Sequence, residues 1–397
     1  MNEPKLRFPG YTGPLKRISC GELFRERKEK GQDHLPILTL SIHTGISDHE
    51  LDDTESIKKV KRSEDKSLYK RVYPNDLAFN MMRAWQGAFG VSKVDGMISP
   101  AYIVAEPIKK INADYLNYYI QTARFIGAAN NLSYGVTDFR KRLYWNSFCK
   151  IEMHLPSLEE QNKIAALLVS IDNTIDKQNE MISAWEERKK GVMQKLFSQE
   201  IRFKADDGNE FPEWEERLLG DLTKLYTGRS FSDSLKENGK YVVMDMGTVT
   251  RNGFRIEKKH TDILRDVLKK NDLVMPKDDI GAGLIICKTV YIPADNKYVL
   301  GDHAYCLRFT EQNSLFMHYL INSEKINRSF KRKVTGSAQL GIKAQNIMNQ
   351  LLPIPCLIEQ QKIADCLSAL DEVIEKQKAR LVAWEELKKG LLQKMFV

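Results

Sequence analysis

The sequence predicts a mixed α+β chain built twice over: two similar α/β lobes, each followed by a long helix, in a pseudo-two-fold internal repeat. Three observations predict it. Residues 155–197 (LPSLEEQNKIAALLVSIDNTIDKQNEMISAWEERKKGVMQKLF) recur without a gap at 354–396 (IPCLIEQQKIADCLSALDEVIEKQKARLVAWEELKKGLLQKMF), with 22 of 43 aligned positions identical at a constant offset of 199. Both copies place apolar residues on alternating four- and three-residue steps. The two segments outside the copies alternate short apolar runs with turn signals, as strands do. Four segments follow: a first lobe over 1–153, a central repeated helix over 154–199, a second lobe over 200–352 and a C-terminal repeated helix over 353–397.

The helices come first because they are the plainest. Ile164, Leu168, Ile171, Ile175, Ile182 and Trp185 mark the seam of the first copy, continued by Val192 and Leu196. Ile363, Leu367, Leu370, Ile374, Leu381 and Trp384 mark that of the second, continued by Leu391 and Met395. A 3.5-residue apolar period is the coiled-coil signature, and a single seam of this kind needs a partner, for which the other copy is the obvious choice. Polar residues break the seam at matched places, Gln178 with Gln377 and Lys189 with Lys388. Pro156 and Pro355 suit helix starts, and Ser157 with Glu160 spells a capping box, which Cys356 weakens in the second copy. Gly191 and Gly390 are expected to loosen the last turns. At 1.5 Å per residue, a helix of about 40 residues spans roughly 60 Å. A coiled coil that only joined two chains would need one seam, not two set apart by a lobe of similar size.

The lobes are far more diverged, yet small landmarks keep their order. Cys20-Gly21-Glu22-Leu23 matches Leu219-Gly220-Asp221-Leu222, and Asn75-Asp76-Leu77 matches Asn271-Asp272-Leu273. Arg83–Ala88 resembles Lys277–Ala282, Ala101-Tyr102 matches Ala304-Tyr305, and Leu116–Ile120 resembles Phe316–Leu320. Strands are expected near Ile37–Ile42, Leu77–Met81, Ala101–Val104, Tyr241–Met244 and Leu284–Ile292, and helices near Asp114–Ala128 and Leu315–Phe330. Each lobe then reads as an α/β domain with a strongly twisted or barrel-like sheet. Two alike helices carrying unlike heads are what two different targets would require.

Charge is uneven. The net charge is +8, but residues 157–198 carry −1 and residues 356–397 carry 0, so the lobes hold +9. The lobes are the candidates for a polyanionic partner. Six cysteines form no CxxC, which suggests neither zinc nor a disulfide framework and fits a reducing cytoplasm. No signal peptide opens the sequence and no apolar run approaches membrane-spanning length, so no membrane association is expected.

Residue by residue, the chain resembles the specificity subunits of type I restriction–modification systems. The resemblance rests on the helix starts LPSLEEQNKIA and IPCLIEQQKIA, the AWEE-KKG helix ends, and the openings KLRFPGY near Lys5 and EFPEWEERLLGDL near Glu210. It covers essentially the whole chain; the first opening, PLKRISCGEL, departs from the fuller EWEERLLGDL of the second. The resemblance implies that each lobe is a target-recognition domain for one half of a split site in double-stranded DNA. It implies that the two long helices pack antiparallel, hold the heads apart as a ruler for the spacer, and dock two methyltransferase subunits. Restriction motor-nuclease subunits would join them. S-adenosylmethionine, Mg²⁺ and ATP would belong to those partners, with no cofactor in this chain.

The residues themselves carry little catalytic signal. There is no phosphate loop, no HExxH and no asparagine-proline-proline-aromatic element. Glu257-Lys258-Lys259 and Glu64-Asp65-Lys66 each contain the E-x-K of some nucleases, a triplet common by chance in a chain with 29% charged residues. His303 beside Asp302 reads as a structural or exposed pair. No catalytic or metal site is therefore expected. For DNA, basic residues mixed with aromatics and turn glycines are the useful signal, phosphate contacts supplying affinity and base edges supplying sequence. In the first lobe these are Arg83, Trp85 and Gln86 on one loop and Arg140, Lys141, Arg142 and Tyr144 on another. Gln86 can pair bidentately with adenine, as arginine can with guanine. In the second lobe they are Arg229, Ser230, Lys277, Lys331, Arg332, Lys333 and Lys343. Trp85 and Tyr144 could equally be packed, and any one of the cations could be a solvated surface charge. Two other classes stay open on the sequence: a nuclease or methyltransferase fusion, and a coiled-coil scaffold with no role in nucleic-acid binding.

Overall fold

The computed structural model describes residues 3–32, 34–42, 45–49, 68–136, 140–281, 283–337 and 339–396. They form two compact units, one of Met1–Asn179 with Ala379–Val397 and one of Glu180–Lys378. Each unit holds one head, the first half of the long helix that follows it, and the last half of the other long helix.

Both heads are built on the same four-stranded antiparallel sheet. In the first head the order is Phe24–Arg27, Tyr102–Pro107, Leu77–Asn80, Phe89–Val91. In the second it is Thr223–Thr227, Ala304–Phe309, Leu273–Pro276, Val290–Tyr291. Among the described residues the two edge strands of this sheet do not pair with each other. Its central strand is covered on both faces, because alternate side chains of a strand point to opposite sides. Leu77 and Phe79 enter the core shared with the helices, while Ala78 faces a smaller cluster with Val104. Leu273 and Met275 repeat this in the second head, with Val274 on the other face. On that other face the heads differ. The first carries the short pairs Leu40–Ser41 with Gly45–Ile46 and Lys70–Val72 with Gly96–Ile98. The second carries a further four-stranded sheet, Leu235–Lys236, His260–Thr261, Tyr241–Met244, Tyr298–Leu300, whose last two strands run parallel.

Several expectations shift by small amounts for clear reasons. Leu77 lies opposite Ala105 and Leu273 opposite Leu307, so Tyr102 corresponds to Ala304, not to Tyr305. A one-residue slip in a strand reverses every side chain, and similarity of Ala-Tyr pairs could not reveal it. Each expected head helix is two helices, Ala113–Tyr119 with Ala123–Leu132 and Ser314–Asn322 with Glu324–Lys331. Thr122 and Ser323 break them: both are extended, and their hydroxyls donate to the carbonyls of Tyr119 and Leu320. Leu284–Ile292 is mostly turn, with only Val290–Tyr291 extended. There the Asp279 carboxylate accepts from the amides of Gly281, Ile285 and Ile286, and Cys287 takes a left-handed φ of 62°. Gly87 does the same job in the first head at φ 97°.

One buried ion pair survives by changing strands. Asn75 and Asn271 share a φ of 74°, and the aspartate after each is 1% exposed. Asp76 accepts from Arg27 at 2.8 and 3.2 Å, while Asp272 accepts from Arg308 at 2.7 and 2.6 Å. Arg27 sits on the edge strand; Arg308 sits on the strand beside it, over the ring of Tyr226, which holds the position of Arg27. Burial raises the Asp76 pKa, and the Arg27 hydrogen bond works against that rise. Removing one partner of such a pair strands the other, at a cost of about 3–5 kcal/mol. Arg27→Ala is therefore expected to destabilise the first head by that order in denaturant unfolding. A loss under about 1 kcal/mol, the range of exposed pairs, would show that the pair does not hold the strand.

The long helices span Leu158–Phe197 and Leu357–Met395 and run on through Gly191 and Gly390. Their repeated EQ dipeptide anchors the heads. Ser157 accepts from the Glu160 amide, but the Glu160 carboxylate goes to Arg7 at 2.9 and 2.6 Å, so only half of the capping box forms. Glu359 is held the same way by Arg202 and by the Trp214 indole. Gln161 and Gln360 donate to the carbonyls of Pro156 and Pro355 and accept from the amides of Asn112 and Asn313, which cap the first head helices.

Within each unit the two helix segments run antiparallel. In the second, Lys189 meets Asp371 at 2.5 Å and Glu186 meets Lys378 at 2.9 Å. Of the seam residues, Ile164, Leu168, Ile171, Ile182, Ile363, Leu367 and Ile374 are buried; Ile175, Trp185, Leu370, Leu381 and Trp384 are half-buried. Ile164 and Leu168 pack with Tyr115 and Phe396 in the first core, and Ile363 and Leu367 with Leu196 and Phe316 in the second. The seam is thus shared with the heads. The polar breaks also have a cause. Asp172 accepts from Lys388 at 2.6 Å and from the Tyr118 phenol at 2.6 Å. Asp371 accepts from Lys189 and, at 2.7 Å, from the Tyr319 phenol. Burial and the neighbouring carboxylate push both phenols well above their usual pKa. Each triad ties a head to both helices.

Candidate nucleic-acid interface

In the first head the structure brings the two expected loops together. A turn over Ala84–Gln86 follows the central strand, and its Met81 carbonyl accepts from the Leu143 amide at 2.9 Å. Leu143 belongs to a ribbon in which Tyr134 and Arg142 exchange backbone bonds of 3.2 and 3.0 Å. Gly135 allows that closeness, since a Cβ there would lie 2.2 Å from the Arg140 carbonyl oxygen. Arg83, Gln86, Arg140, Arg142 and Tyr144 are exposed on this surface. Trp85 is half-buried, its indole donating to the Met82 carbonyl at 3.0 Å, and reads as the support of the turn. Lys141 reaches back to Asn130 at 3.5 Å. Sequence reasoning missed Tyr134, 61% exposed, whose ring lies 5.0 Å from that of Tyr144. Its signal was the matched hairpin glycine, Gly135 with Gly336.

The second head repeats this plan. Ile342 donates to the Lys277 carbonyl at 3.0 Å, and Thr335 and Gly341 exchange bonds of 2.9 and 2.8 Å. Gly336, at φ 105°, closes the hairpin where a Cβ would lie 2.1 Å from the Gln339 carbonyl oxygen. Lys277, Arg332 and Lys343 are exposed around it. Lys331 is exposed too and donates to the Gly283 carbonyl at 2.7 Å. Lys333 is half-buried and caps the Ala344–Met348 helix through the carbonyls of Asn346 and Asn349, which is a structural task. Arg229 and Ser230 lie on a different loop, where Arg229 is already paired with Asp266 at 2.9 and 3.0 Å and Ser230 meets Ser232 at 2.8 Å.

The E-x-K triplet at Glu257 does not stand as a free acid beside a free lysine. Glu257 accepts from Tyr298, Lys297 and Arg255, bonds that outweigh its burial and hold its pKa down to about 2, and Lys259 is paired with Asp245. Glu64-Asp65-Lys66 lies outside the described residues. His303, at φ 58°, is hydrogen-bonded through Nδ1 to Asp278 at 2.7 Å, and its Nε2 lies 3.8 Å from Asp302. Among the described residues no cluster of His, Cys, Asp and Glu could hold a metal ion. The six cysteines are free thiols, and no helix among the described residues is long and apolar enough to cross a membrane.

Known proteins share this arrangement. The family model described as the type I restriction modification DNA specificity domain matches twice, over residues 19–184 and 212–383. A type I restriction enzyme specificity subunit, MjaVIII of Methanocaldococcus jannaschii, is 28% identical over 314 residues, covering 75% of this chain and 72% of that one. The fold is similar to the crystal structure of the type I restriction–modification S subunit from M. genitalium, with a TM-score of 0.61 and 13% identity over 100% of this chain and 99% of that one. It is also similar to a chain from a structural study of complex assembly and conformational transition in a type I system, with a TM-score of 0.58 and 14% identity over 98% of each chain. With both of its halves matched by the DNA specificity model, the chain belongs to the specificity subunits of type I restriction–modification systems, the proteins that recognise the DNA target.

Proposed function

We propose that each head reads one half of a bipartite duplex target, and that the paired helices set the spacer and dock two methyltransferase subunits. Motor-nuclease subunits complete the assembly in the cytoplasm. S-adenosylmethionine, Mg²⁺ and ATP are bound by those partners, and this chain does not itself catalyse. The carrying observation is the contrast within one chain: Arg7–Glu160 and Arg202–Glu359, with both triads, anchor the heads in the same manner, while the surface loops differ. A repeated mount with unlike tips is suited to reading two different half-sites. In the first head, Gln86, Arg140 and Arg142 are the groups offered to base edges and phosphates, with Tyr134 and Tyr144 as the apolar platform.

Two measurements on the full chain test this. Binding to a duplex carrying the target is expected to weaken steeply with salt, log affinity falling by about 0.9 per phosphate contact for each unit of log salt. Labelled methyl transfer is expected to be absent from the purified chain and to appear only with the modification subunits. Transfer by the pure chain, above the level of contaminating partner, would overturn the non-catalytic reading.

A further inference from the structure

The second unit contains a groove of about 1470 Å³ between the last turns of the central helix and the head. Five carboxylates line it, and four are already engaged: Glu186 by Lys378, Glu200 by Lys195, Glu324 by Arg328 and Asp371 by Lys189. Six cations that line it make no ion pair with a carboxylate among the described residues: Lys190, Arg251, Lys288, Lys325, Lys331 and Arg332. Lys288 donates only to the Asn322 carbonyl, at 3.1 Å. Burial, and then the charge of Lys331, pull its pKa down to about 8. His318 lines the same groove. Its Nδ1 accepts from Asn322 Nδ2 at 3.3 Å and lies 3.1 Å from the Thr289 hydroxyl, which places the ring proton on Nε2. Burial and then Lys189 and Lys288 push its pKa down to about 3, so it stays a neutral donor.

Of the head-side cations, Lys288, Lys331 and Arg332 fall on neutral residues in the first head, whereas Lys325 is matched by Arg124. The strand registers match Lys288 with Ala88, and the head helices match Lys331 and Arg332 with Asn130 and Asn131 and His318 with Asn117. The helix side, by contrast, is repeated: Lys189 and Lys190 recur as Lys388 and Lys389. A subunit that docked on the repeated scaffold would meet matched residues in both units. A surface peculiar to one head suits the ligand that each head meets in its own way, the DNA. Lys331 and Arg332 also end the helix that leads into the hairpin over 335–341, so the groove continues the reading surface.

We propose that this groove holds a stretch of DNA backbone, with Lys190, Arg251, Lys288, Lys325, Lys331 and Arg332 as its phosphodiester contacts. The proposal rests on the reading that the heads bind duplex DNA. The test uses the full chain and a target duplex, with affinity measured between 50 and 200 mM salt, for wild type, Lys190→Ala with Arg332→Ala, and the control Lys389→Ala. Both substituted groove positions are exposed, so the fold should tolerate the change. Loss of two phosphate contacts lowers the salt slope by about 1.8, so the double variant should lose about 12-fold less affinity than wild type across that fourfold salt range. The methylated motif and the control's slope should not change. An unchanged slope in the double variant, beside a steep wild-type slope, overturns the groove proposal and leaves the DNA reading intact. A wild type with no salt-dependent binding overturns both. A double variant that keeps the wild-type slope but no longer associates with the modification subunits would assign the groove to a protein and overturn the proposal.

Discussion

Exchanging residues 1–153 for another head of the family is expected to replace one half of the methylated motif outright and leave the other half and the spacing as they were. The anchors say what such a head must carry. An arginine must reach Glu160, a backbone amide must meet Gln161, and a phenol must reach Asp172, as those of Arg7, Asn112 and Tyr118 do. A graft lacking them leaves Glu160, which is 1% exposed, unpaired in the core and should fail by instability rather than by altered reading. Methylated-motif sequencing separates the outcomes. A change in both halves, or in neither, would show that the heads do not read independently.

The second large effect concerns the helices. One heptad inserted between Asn179 and Glu180, with another between Lys378 and Ala379, keeps the seam on the same face. Both insertions fall at the boundary between the compact units, so the Tyr118–Asp172–Lys388 and Tyr319–Asp371–Lys189 triads stay intact. Each helix lengthens by roughly 10 Å at 1.5 Å per residue. At about 3.4 Å per base pair, that is about three base pairs of spacer. The duplex would also turn by around a third of a turn, taking about 10.5 base pairs per turn. Methylation at the original spacing is expected to collapse, with a motif lengthened by about three base pairs used weakly or refused. Full efficiency at the original spacing would show that the helices do not set it.

The repeat was legible because its residues do the same work twice. The EQ of each helix start binds the head beside it, so the dipeptide is written in both copies. The reason for the seam lysines was not legible. Lys189 showed itself as a polar break, but Asp371 and Tyr319 come from distant parts of the chain and only folding unites them. The heads were legible in outline and wrong in detail. An apolar run such as Leu284–Ile292 suits a strand until Asp279 gathers its amides into a turn. The two basic loops of the first head lie far apart in sequence, and a long-range bond from Leu143 to Met81 helps to join them. Composition could not separate Arg142, exposed on the ribbon, from Arg229, paired to Asp266, or from Lys333, spent on capping a helix.

The most direct test of two heads on one scaffold is the methylated sequence itself. Methylome sequencing of cells carrying this chain with its modification subunits is expected to give two short specified blocks, separated by a fixed number of unspecified base pairs, with one methylated base in each. A single continuous motif, or methylation unchanged when the chain is removed, would contradict it.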